Sequence, residues 1–508
     1  MATFGILACM PRVIGASTLA RDLGHWQPDD ARGAATTARG AGRRPGYRAL
    51  ADGIRLLIAD GRIPIGVSLP SERDLAVVLE LSRTTITSAY AVLREDGFLT
   101  SRQGSRSTVT MPAAVPPRQA RGAVAGEALV SRQPAIDLTC AAMPAPAERI
   151  RDAYAGALLD LPAYLHTPGL ESLGLPVLRE AVAQRYRDRG VPTTADQIMV
   201  TTGAQQALVL VLSLLASPGE RILIDHPTYT NAIEAIKRTG ARPVPVPLRL
   251  ESKGWDLDAM RNAARQTAAK IAYVVPDFHN PTGFCLDDAG RAEMVRIAGD
   301  THMTLVVDET MTDLGLDAPT PTPVARFAVG ARADVITVGS MSKAYWSGLR
   351  IGWIRADVST INALLAIRSA LDLGSAVLEQ VVAAELLSDP DSVLPARRDR
   401  LRAQRAALLD ELAVELPEWQ CDPGPGGMAL WVHLPAPLST AIAATAPSHG
   451  VQVAAGPRFG LDGAFERYLR LPYARSEDEL RAAVRGLAHA YRGLAGDARL
   501  GASVPVVV

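Results

Sequence analysis

Lysine is rare in this chain, and one of its few lysines follows a long apolar run. The 508 residues contain 53 lysines and arginines together, and only four of these are lysines. Lys343 ends the segment Val335–Lys343, whose β-branched residues predict a buried strand. A lysine in an apolar pocket has a lowered pKa and can form a Schiff base with an aldehyde. Lys343 is therefore a candidate nucleophile, whereas the other three lysines are typical of surface charges.

Two other segments place a polar side chain where an apolar run ends. Asp308 directly follows Leu305–Val307, and a carboxylate buried there needs a cationic or hydrogen-bonding partner. A protonated pyridine nitrogen would be such a partner. Asn280 follows the apolar run Ile271–Val275 and could hydrogen-bond a ring oxygen. The dipeptide Asn-Pro is equally typical of a simple turn, so the spacing alone leaves both interpretations open.

A further segment predicts an anion site. Thr201–Leu208 contains a glycine between a predicted strand and a predicted helix. Such a turn offers free backbone N–H groups and the positive end of a helix dipole to a phosphate. Tight turns at helix starts are common, so this signal is weak by itself.

These segments belong to a long region in which apolar runs alternate with helical patterns. The runs are Ile198–Val200, Arg221–Ile224, Ile271–Val275, Leu305–Val307, Val335–Val338 and Ile351–Ile354. Such alternation predicts an α/β domain built around a mostly parallel sheet, and we place it at residues 136–494.

Residues 47–110 have a different pattern, in which two capped helices precede a β-hairpin. Ser71 is placed to cap the first helix and Ser82 the second, which is predicted over Arg83–Glu95. Two short strands follow around a turn at Gly104. Two helices joined by a tight turn and followed by a hairpin predict a winged helix-turn-helix.

In such a unit the second helix reads base edges with its N-terminal side chains, while the wing contacts phosphate. The base-reading candidates are Arg83, Thr84 and Thr85, on the helix that Ser82 caps. The phosphate or minor-groove candidates are Ser71, Arg73, Arg102 and Arg106, the last two beside Gly104 in the wing. A capped helical hairpin used only for packing would share this pattern, and the nearly balanced charge of the unit does not separate the two interpretations.

The composition limits the remaining function classes. Hydrophobic residues make up 48% of the chain and charged residues 21%, which excludes a disordered or collagen-like protein. Basic and acidic residues are equal in number, so net charge predicts neither a nucleic-acid nor a membrane partner. The four cysteines are too far apart for a zinc or redox motif and too few for a disulfide framework, which predicts no metal site and a reducing cytoplasm. The longest apolar run, Ala207–Ala216, is too short to span a bilayer.

Composition also separates the two predicted domains from their surroundings. Residues 1–46 contain a short amphipathic stretch and an Ala/Gly/Arg-rich segment, which predicts an N-terminal extension or arm. Residues 111–135 contain four prolines and predict an extended linker. Residues 495–508 are expected to form a C-terminal tail, which ends in the apolar run Val504–Val508.

Taken in order, the motifs resemble two known families. LPSERDLA, SRTTITSAY and the wing that follows resemble the GntR-type DNA-binding domain, except that Arg106 replaces the second glycine of the usual wing. Gly-Ala-Gln-Gln, Pro-Thr-Tyr, Asn-Pro-Thr-Gly, strand-Asp, Ser-x-Ser-Lys and Arg resemble a fold-type I aminotransferase. The whole chain resembles the MocR family of transcriptional regulators. The expected fold is thus multidomain, an α+β winged helix-turn-helix followed by an α/β PLP-dependent transferase fold of type I.

The resemblance implies a cofactor, pyridoxal 5′-phosphate (PLP), and a role for each motif residue. Lys343 would form the Schiff base, Asp308 would pair with the pyridine nitrogen, Asn280 would contact the ring hydroxyl and Tyr229 would stack on the ring. The phosphate would be held by Ala204, Gln205, Ser340 and Arg350. Arg470, in the segment Tyr468–Ala474, would bind the carboxylate of an effector or substrate as a bidentate fork.

One departure from the aminotransferase pattern bears on catalysis. The family has a tyrosine two or three residues after the strand-end aspartate, whereas this chain has Thr310 and Met311. We therefore expect a regulator with at most residual aminotransferase-type activity. The alternatives are an active aminotransferase with an accessory N-terminal domain and, less in keeping with the intact PLP motifs, a DNA-binding protein whose large domain has lost its cofactor.

The MocR resemblance also implies partners. They are a double-stranded DNA operator, a small amine, amino acid or PLP as the effector, and a second copy in a head-to-tail homodimer. No membrane partner is expected, and the expected location is the cytoplasm.

Overall fold

The computed structural model of the protein describes residues 13–24, 46–59, 62–63, 67–101, 106–110 and 136–501. The chain divides into two compact units. Unit 1 combines the described part of residues 1–138 with His433–Leu469 and with the chain from Ala482 onward, and unit 2 combines Thr139–Val432 with Arg470–Arg481. We call His433–Leu469 the C-terminal lobe. The predicted linker, residues 111–135, lies outside the described residues.

In the described part of residues 13–110, four helices and a pair of short strands build the N-terminal part of unit 1, which we call the winged unit. Its helices are α1 (Ala16–Leu23), α2 (Gly46–Ala59), α3 (Glu72–Val78) and α4 (Arg83–Glu95). The strands β1 (Leu99–Thr100) and β2 (Thr108–Val109) pair in antiparallel fashion and form the predicted wing. The predicted helix Arg83–Glu95 therefore has the bounds of α4.

The amphipathic stretch of the predicted arm is part of this compact unit. It forms α1, whose Leu19 and Leu23 are fully buried in one cluster with Leu50, Ile86 and Leu93 of the neighbouring helices. The apolar spacing of i and i+4 places the two leucines on one face of the helix. The packed unit thus begins before Tyr47, where the sequence pattern placed its start.

The remainder of unit 1 includes β3 (Ile136–Leu138), β13 (Val451–Ala455) and the short helix α15 (Ser439–Thr445). Strands β3 and β13 pair in parallel, with Val451 opposite Ile136. Helix α2 of the winged unit packs against α15. The last helix, α16 (Glu477–Gly501), continues past residue 494, where the large domain was expected to end.

An eight-stranded sheet forms the centre of unit 2. Its strands are β4 (Ile198–Thr201), β5 (Arg221–His226), β6 (Arg242–Arg249), β7 (Gly254–Trp255), β8 (Ile271–Val274), β9 (Thr304–Asp308), β10 (Val335–Ser340) and β11 (Gly352–Arg355). The spatial order is β4-β11-β10-β9-β8-β5-β6-β7. Neighbours from β10 to β6 run parallel, while β11 and β7 are antiparallel to their neighbours. The mostly parallel sheet and the α/β fold class are confirmed.

Helices cover this sheet because its strands are apolar on both faces, as in β9, where Leu305, Val306 and Val307 are all fully buried. They are α5 (Ala147–Asp160), α6 (Pro176–Asp188), α7 (Ala204–Leu215), α8 (Thr230–Arg238), α9 (Leu257–Thr267), α10 (Asp288–Thr301), α11 (Val324–Phe327), α12 (Val358–Arg368), α13 (Val377–Ser388) and α14 (Leu394–Glu415). The remaining two strands are β12 (Ala429–His433) and β14 (Tyr468–Pro472). In the part of the chain that the structure describes, no helix is long and apolar enough to cross a bilayer.

Candidate cofactor cleft and DNA-reading surface

A cleft of unit 2 opens where the parallel strands end, the usual ligand position in α/β sheets. Its volume is about 150 Å³. All eight residues predicted to hold the cofactor line it, namely Ala204, Gln205, Tyr229, Asn280, Asp308, Ser340, Lys343 and Arg350. The sheet thus brings together side chains that are spread over nearly 150 residues of sequence.

Lys343 lies just after β10, in a π-helical turn over Ser342–Trp346. Single π turns are frequent at functional sites because the extra residue re-aims the side chains. The Nζ of Lys343 donates a hydrogen bond of 2.7 Å to the carbonyl oxygen of Ala141. Burial lowers the pKa of Lys343, and the positive charges of Arg470 and Arg350 act in the same direction. The lowered pKa favours the neutral amine, which is the nucleophilic form.

Asp308 ends β9 at the floor of the cleft and is 7% exposed. The Tyr273 hydroxyl, on β8, donates a hydrogen bond of 2.7 Å to its Oδ2, and the backbone N–H of Thr310 donates one of 2.9 Å to its Oδ1. Burial raises the pKa of Asp308, and these two hydrogen bonds oppose the rise. The carboxyl group is therefore fixed in position, and a cationic partner in the cleft would stabilise its ionised form.

A buried polar network lies behind Asn280 and Asp308. Arg291 and Asp277 form a fully buried ion pair with 2.7 Å between Nη1 and Oδ1, and Thr312 also donates to Asp277. Glu309, directly after Asp308, accepts a hydrogen bond of 3.2 Å from the Tyr186 hydroxyl. The mutual attraction of Arg291 and Asp277 offsets part of the cost of burying two charges.

The opposite end of the cleft offers donors for an anion. Helix α7 begins at Ala204 after Gly203, whose φ of 96° places it in the region that favours glycine. A Cβ on Gly203 would lie 2.7 Å from Nη2 of Arg350. The same guanidinium donates to the carbonyl oxygen of Thr202 at 3.0 Å, so Arg350 lies beside the helix N-terminus. An N-terminus with an adjacent arginine is a suitable phosphate site.

Arg470 lies beside the cleft, next to Asn280. It is 6% exposed, and its Nη1 donates to Oδ1 of Asn280 at 3.4 Å. Its Nη2 donates to the carbonyl oxygen of Thr139. Tyr229 lies nearby, where its hydroxyl accepts a hydrogen bond of 3.0 Å from Asn231. A buried guanidinium next to the cleft suits an anionic group of a small molecule.

The sequence analysis missed two residues that line the cleft and one that supports it from the core. Ser342 and Ser347 line the phosphate end, and the Ser347 hydroxyl donates to the carbonyl oxygen of Ser342 at 3.0 Å. Their position next to Lys343 in the sequence was the available signal. Tyr273 gave no signal, because an aromatic residue inside a buried run reads as ordinary core until its strand is known to lie beside β9.

The second site is the exposed face of α4 in the winged unit. Ser82 caps the helix by accepting a hydrogen bond of 3.1 Å from the N–H of Thr85, and its hydroxyl also contacts that of Thr84 at 2.7 Å. Arg83, the first residue of α4, and Thr84 are exposed, while Thr85 is half-buried. The base-reading candidates therefore lie together at the N-terminus of the helix.

The opposite face of α4 fixes the helix in the winged unit. Ile86 and Leu93 are fully buried, and the Tyr90 hydroxyl donates to the carbonyl oxygen of Pro70 at 3.1 Å. Thr87 donates to Oε2 of Glu72 at 2.6 Å, which joins α4 to α3. The recognition candidates are thus displayed by a helix that is held on two sides.

The phosphate candidates have different surroundings. Arg73 on α3 and Arg106 before β2 are exposed. The Ser71 hydroxyl is engaged as the cap of α3, where it accepts a hydrogen bond of 3.1 Å from the N–H of Asp74. Arg102 and Gly104 lie outside the described residues.

Comparison with protein families agrees with both sites. Residues 46–109 match the model of the bacterial regulatory proteins of the gntR family, and residues 166–487 match aminotransferase class I and II. The chain belongs to the MocR family of transcriptional regulators. The family assignment made from the motifs is confirmed, as is the expected pairing of a winged helix-turn-helix with a transferase fold of type I.

Individual relatives of this MocR protein agree with the assignment. An uncharacterized HTH-type transcriptional regulator, YisV of Bacillus subtilis, is 26% identical over 89% of this chain and 96% of its own length. YdcR of Escherichia coli, with the same description, is 28% identical over 84% and 94%. Among solved structures, the Thermus thermophilus α-aminoadipate aminotransferase LysN superposes with a TM-score of 0.66 and 27% identity, over 71% of this chain and 93% of its own.

Proposed function

We propose that this MocR regulator binds PLP in the cleft of unit 2 and that an amine, an amino acid or PLP itself changes its affinity for operator DNA. One observation supports this most directly. The amine of Lys343, the carboxyl group of Asp308 and the N-terminus of α7 line one cleft, in a chain that also has an exposed recognition helix. In this scheme the cleft binds the effector and the winged unit binds the DNA.

The residues of the cleft fit PLP. Bound PLP supplies an aldehyde carbon that reacts reversibly with primary amines. The ring nitrogen would pair with Asp308, the ring would lie against Tyr229, and its hydroxyl would face Asn280. The phosphate would be held by the N–H groups of Ala204 and Gln205, together with Ser340, Ser342, Ser347 and Arg350. Lys343, with its lowered pKa, would hold the aldehyde end.

The effector would be recognised by two groups. A primary amine would compete with the Lys343 amine, and a carboxylate would be held by the guanidinium of Arg470. The solved LysN structure contains N-(5′-phosphopyridoxyl)-L-leucine, an amino acid joined to the cofactor. This supports an amino acid as the class of effector for the cleft described here.

The winged unit would contact DNA through two sets of residues. Arg83, Thr84 and Thr85 would reach base edges in the major groove from the N-terminus of α4. Arg73, Arg102, Gly104 and Arg106 would contact phosphate or the minor groove, and Ser71 and Ser82 would act as the helix caps. A cytoplasmic location fits this function.

A homodimer is the proposed assembly, head to tail as in the family resemblance. Unit 2 exposes large apolar side chains at the end of α5 and in the segment that follows it, with Leu159 83% and Leu165 70% exposed. Leu373 extends this surface, because the Ser172 hydroxyl donates to its carbonyl oxygen at 2.9 Å. The apolar surface comprises Leu158, Leu159, Leu165, Leu170, Leu371 and Leu373. Exposed large apolar side chains on neighbouring segments are a common feature of interfaces, and we propose that these leucines form one.

The dimer is tested by light scattering during size-exclusion chromatography. Leu159→Glu places a charge in the apolar surface and is expected to give monomers at concentrations where the wild type is dimeric. Val414→Glu is the control, because Val414 is 75% exposed on α14, outside this surface. Equal masses for the two variants would argue against this interface.

Transamination is a second candidate activity, supported by the presence of Lys343, Asp308 and Arg470 in one unit. Against it, the positions after Asp308 hold Thr310 and Met311, and neither can supply the phenol that aminotransferases place there. We therefore expect slow turnover of amino acids, if any. Release of a keto acid at rates typical of enzymes would favour the enzyme over the regulator.

The decisive experiment is binding of the purified protein to the DNA upstream of its own gene. It is measured with and without PLP, at two salt concentrations and against competitor DNA, because the phosphate-driven part of affinity falls steeply with salt. Saturable binding that resists competitor and changes with PLP is the expected result. Binding that is equal for all sequences and ligands would contradict the proposal.

A further inference from the structure

A tight contact joins α1 of the winged unit to the C-terminal lobe. The turn Arg21–Gly24, at the end of α1, lies against the loop Asp462–Glu466. The Arg21 guanidinium and the Asp462 carboxylate form an ion pair with 3.2 Å between Nη1 and Oδ1. Helix α2 packs on α15 of the same lobe, so the contact has two parts.

Both sides of this contact require glycine. A Cβ on Gly463 would lie 2.8 Å from the Arg21 carbonyl oxygen and 3.7 Å from Cα of Gly24. A Cβ on Gly24 would lie 2.6 Å from Oε1 of Glu466. Two backbones approach each other here without side chains between them, as in interfaces that fit closely. Because the Arg21–Asp462 pair is exposed, it contributes at most about 1 kcal/mol to stability. The close packing of the two backbones must therefore supply most of the stability of this contact.

The lobe presents a rigid surface to α1. Glu466 is 6% exposed and accepts hydrogen bonds from the backbone N–H of Thr440 at 3.1 Å and from the Thr440 hydroxyl at 2.5 Å. The Ser439 hydroxyl donates to the carbonyl oxygen of Tyr468 at 2.6 Å. Phe465 has a φ of 71°, which is rare for a bulky residue and persists only where the surroundings hold it. The loop is therefore bound to the start of α15.

The same loop leads directly into the strand that carries the effector arginine. Arg470 follows Glu466 by four residues and lies in β14. Binding of a carboxylate by Arg470 would therefore act on a segment that continues into the contact with α1.

We propose that this contact, the α1 clamp (Arg21–Gly24 against Asp462–Glu466), holds the winged unit on the C-terminal lobe and transmits the effector state to the DNA-reading helix. The inference rests on the proposed function, because it assumes that an effector changes DNA affinity. The effector would stabilise one position of the loop Asp462–Glu466. Because this loop contacts α1, it would stabilise one position of α1 as well.

A pair of matched alanine substitutions tests the transmission. Gly463 and Gly450 have nearly the same φ, 76° and 77°, but a Cβ on Gly450 meets no atom within 4 Å. Both substitutions therefore introduce the same backbone strain. Only Gly463→Ala also introduces a steric clash in the clamp. Gly24→Ala introduces a clash from the other side of the contact.

The readout is the ratio of the DNA dissociation constants without and with ligand. The ligands are PLP alone and PLP with a mixture of the common L-amino acids. Allosteric coupling usually gives a ratio of about 5 to 150. For the wild type and for Gly450→Ala we expect a ratio of dissociation constants in that range. For Gly463→Ala and Gly24→Ala we expect a ratio within about twofold of one, which means that the ligand no longer changes DNA affinity. Equal ratios for Gly463→Ala and Gly450→Ala would overturn the role of the clamp.

Folding of the variants is checked independently. Gly463→Ala should still take up PLP and show the visible band that borohydride removes, because Lys343 and Asp308 are unchanged. It should also keep the ligand-free affinity for the DNA within a few-fold, since α4 is unchanged. A variant that fails both checks is replaced by Gly24→Ala, whose substitution lies outside the lobe.

Crosslinking tests the contact itself without DNA or effector. Arg21→Cys and Asp462→Cys are combined in a chain in which the four native cysteines are replaced by alanine, and a short bismaleimide is added. Rapid crosslinking is expected, and each single-cysteine variant should give none of that product. A product of monomer mass places both halves of the clamp in one chain, and a product of dimer mass places them in two copies; either supports the contact.

The two failures are distinguishable. If the wild type binds no specific DNA or ignores all ligands, the proposed function fails and transmission fails with it, whereas crosslinking still decides whether the clamp forms. If the wild type responds to a ligand but the double-cysteine variant does not crosslink above the single variants, the clamp alone is overturned.

Discussion

The DNA-reading surface and the cofactor cleft are built in opposite ways. The recognition candidates Arg83 and Thr84 are exposed, adjacent in sequence and displayed by one helix that a single serine caps. The cleft draws on residues from Thr139 to Arg470, and several of its groups, such as Asp308 and Arg470, are buried. The first is a local structure, and the second depends on the whole of unit 2.

This difference determines how each region should respond to substitution. An exposed side chain on a fixed helix can be removed without changing its neighbours, so effects should be confined to binding and roughly additive. A buried group in the cleft shares hydrogen bonds and charges with others, so its removal should change several properties at once. The substitutions below separate the two kinds of response.

The largest effect is expected for Lys343→Ala. The variant should lose all PLP that borohydride can fix to the chain, since the nucleophilic amine is gone. Mass spectrometry of the reduced protein measures this as loss of the cofactor mass. Lys270→Ala is the control, because Lys270 is exposed, and it should keep the full adduct. A reduced adduct on Lys343→Ala would show that another residue holds the cofactor.

The next effect is on stability. Asp277→Ala leaves the Arg291 guanidinium in a fully buried position without its carboxylate. Removal of one partner of a buried pair costs about 3 to 5 kcal/mol, so the denaturation midpoint should fall markedly. Glu234→Ala breaks the exposed pair with Lys237 and should cost less than about 1 kcal/mol. Similar losses for the two variants in urea titrations would mean that the buried network does not stabilise the cleft.

Arg83→Ala tests the opposite region. Loss of a bidentate contact to a base costs about 1 to 3 kcal/mol, so specific affinity should fall by roughly 5- to 150-fold while non-specific binding falls little. Arg73→Ala, at a phosphate candidate, should instead weaken binding to all sequences alike and lower the salt dependence. Both variants should unfold as the wild type does. Competition binding with operator and random DNA separates the two outcomes.

Much of this arrangement was accessible from the sequence, for a physical reason. The winged unit is encoded locally, so caps and apolar spacing predicted α4 with its observed bounds. In unit 2, the ends of the apolar runs made Asp308, Asn280 and Lys343 candidates only. The family resemblance of the ordered motifs, rather than any single spacing, assigned the cofactor roles.

Two features could not be predicted because they depend on contacts between distant segments. Tyr273 bonds Asp308 only because β8 lies beside β9, and an aromatic residue in a buried strand has no sequence signature of this role. The packing of α1 with the winged unit was equally hidden. Its Leu19 and Leu23 gave an amphipathic pattern, but nothing in the sequence indicated which surface would cover it.

The smallest expected effect concerns this missed tyrosine. Tyr273→Phe removes the hydroxyl that donates to Oδ2 of Asp308. That hydrogen bond lowers the pKa of Asp308, so its loss raises the pKa further and leaves a larger fraction of the carboxyl group protonated at a given pH. A hydrogen bond of this kind contributes about 0.5 to 1.5 kcal/mol, so the Kd for PLP should rise by roughly two- to tenfold.

The sign of its pH dependence distinguishes this role from simple packing. Because the pKa of Asp308 is raised, the carboxylate is recovered as the pH rises, and the ratio of the Kd for Tyr273→Phe to that for the wild type should shrink toward one. Tyr473→Phe is the matched control, since Tyr473 is buried and its hydroxyl donates to the Gly426 carbonyl oxygen at 3.4 Å. It should leave the Kd for PLP unchanged at every pH. A ratio for Tyr273→Phe that stays constant with pH would assign Tyr273 to the core alone, and the cleft would then hold Asp308 through the N–H of Thr310.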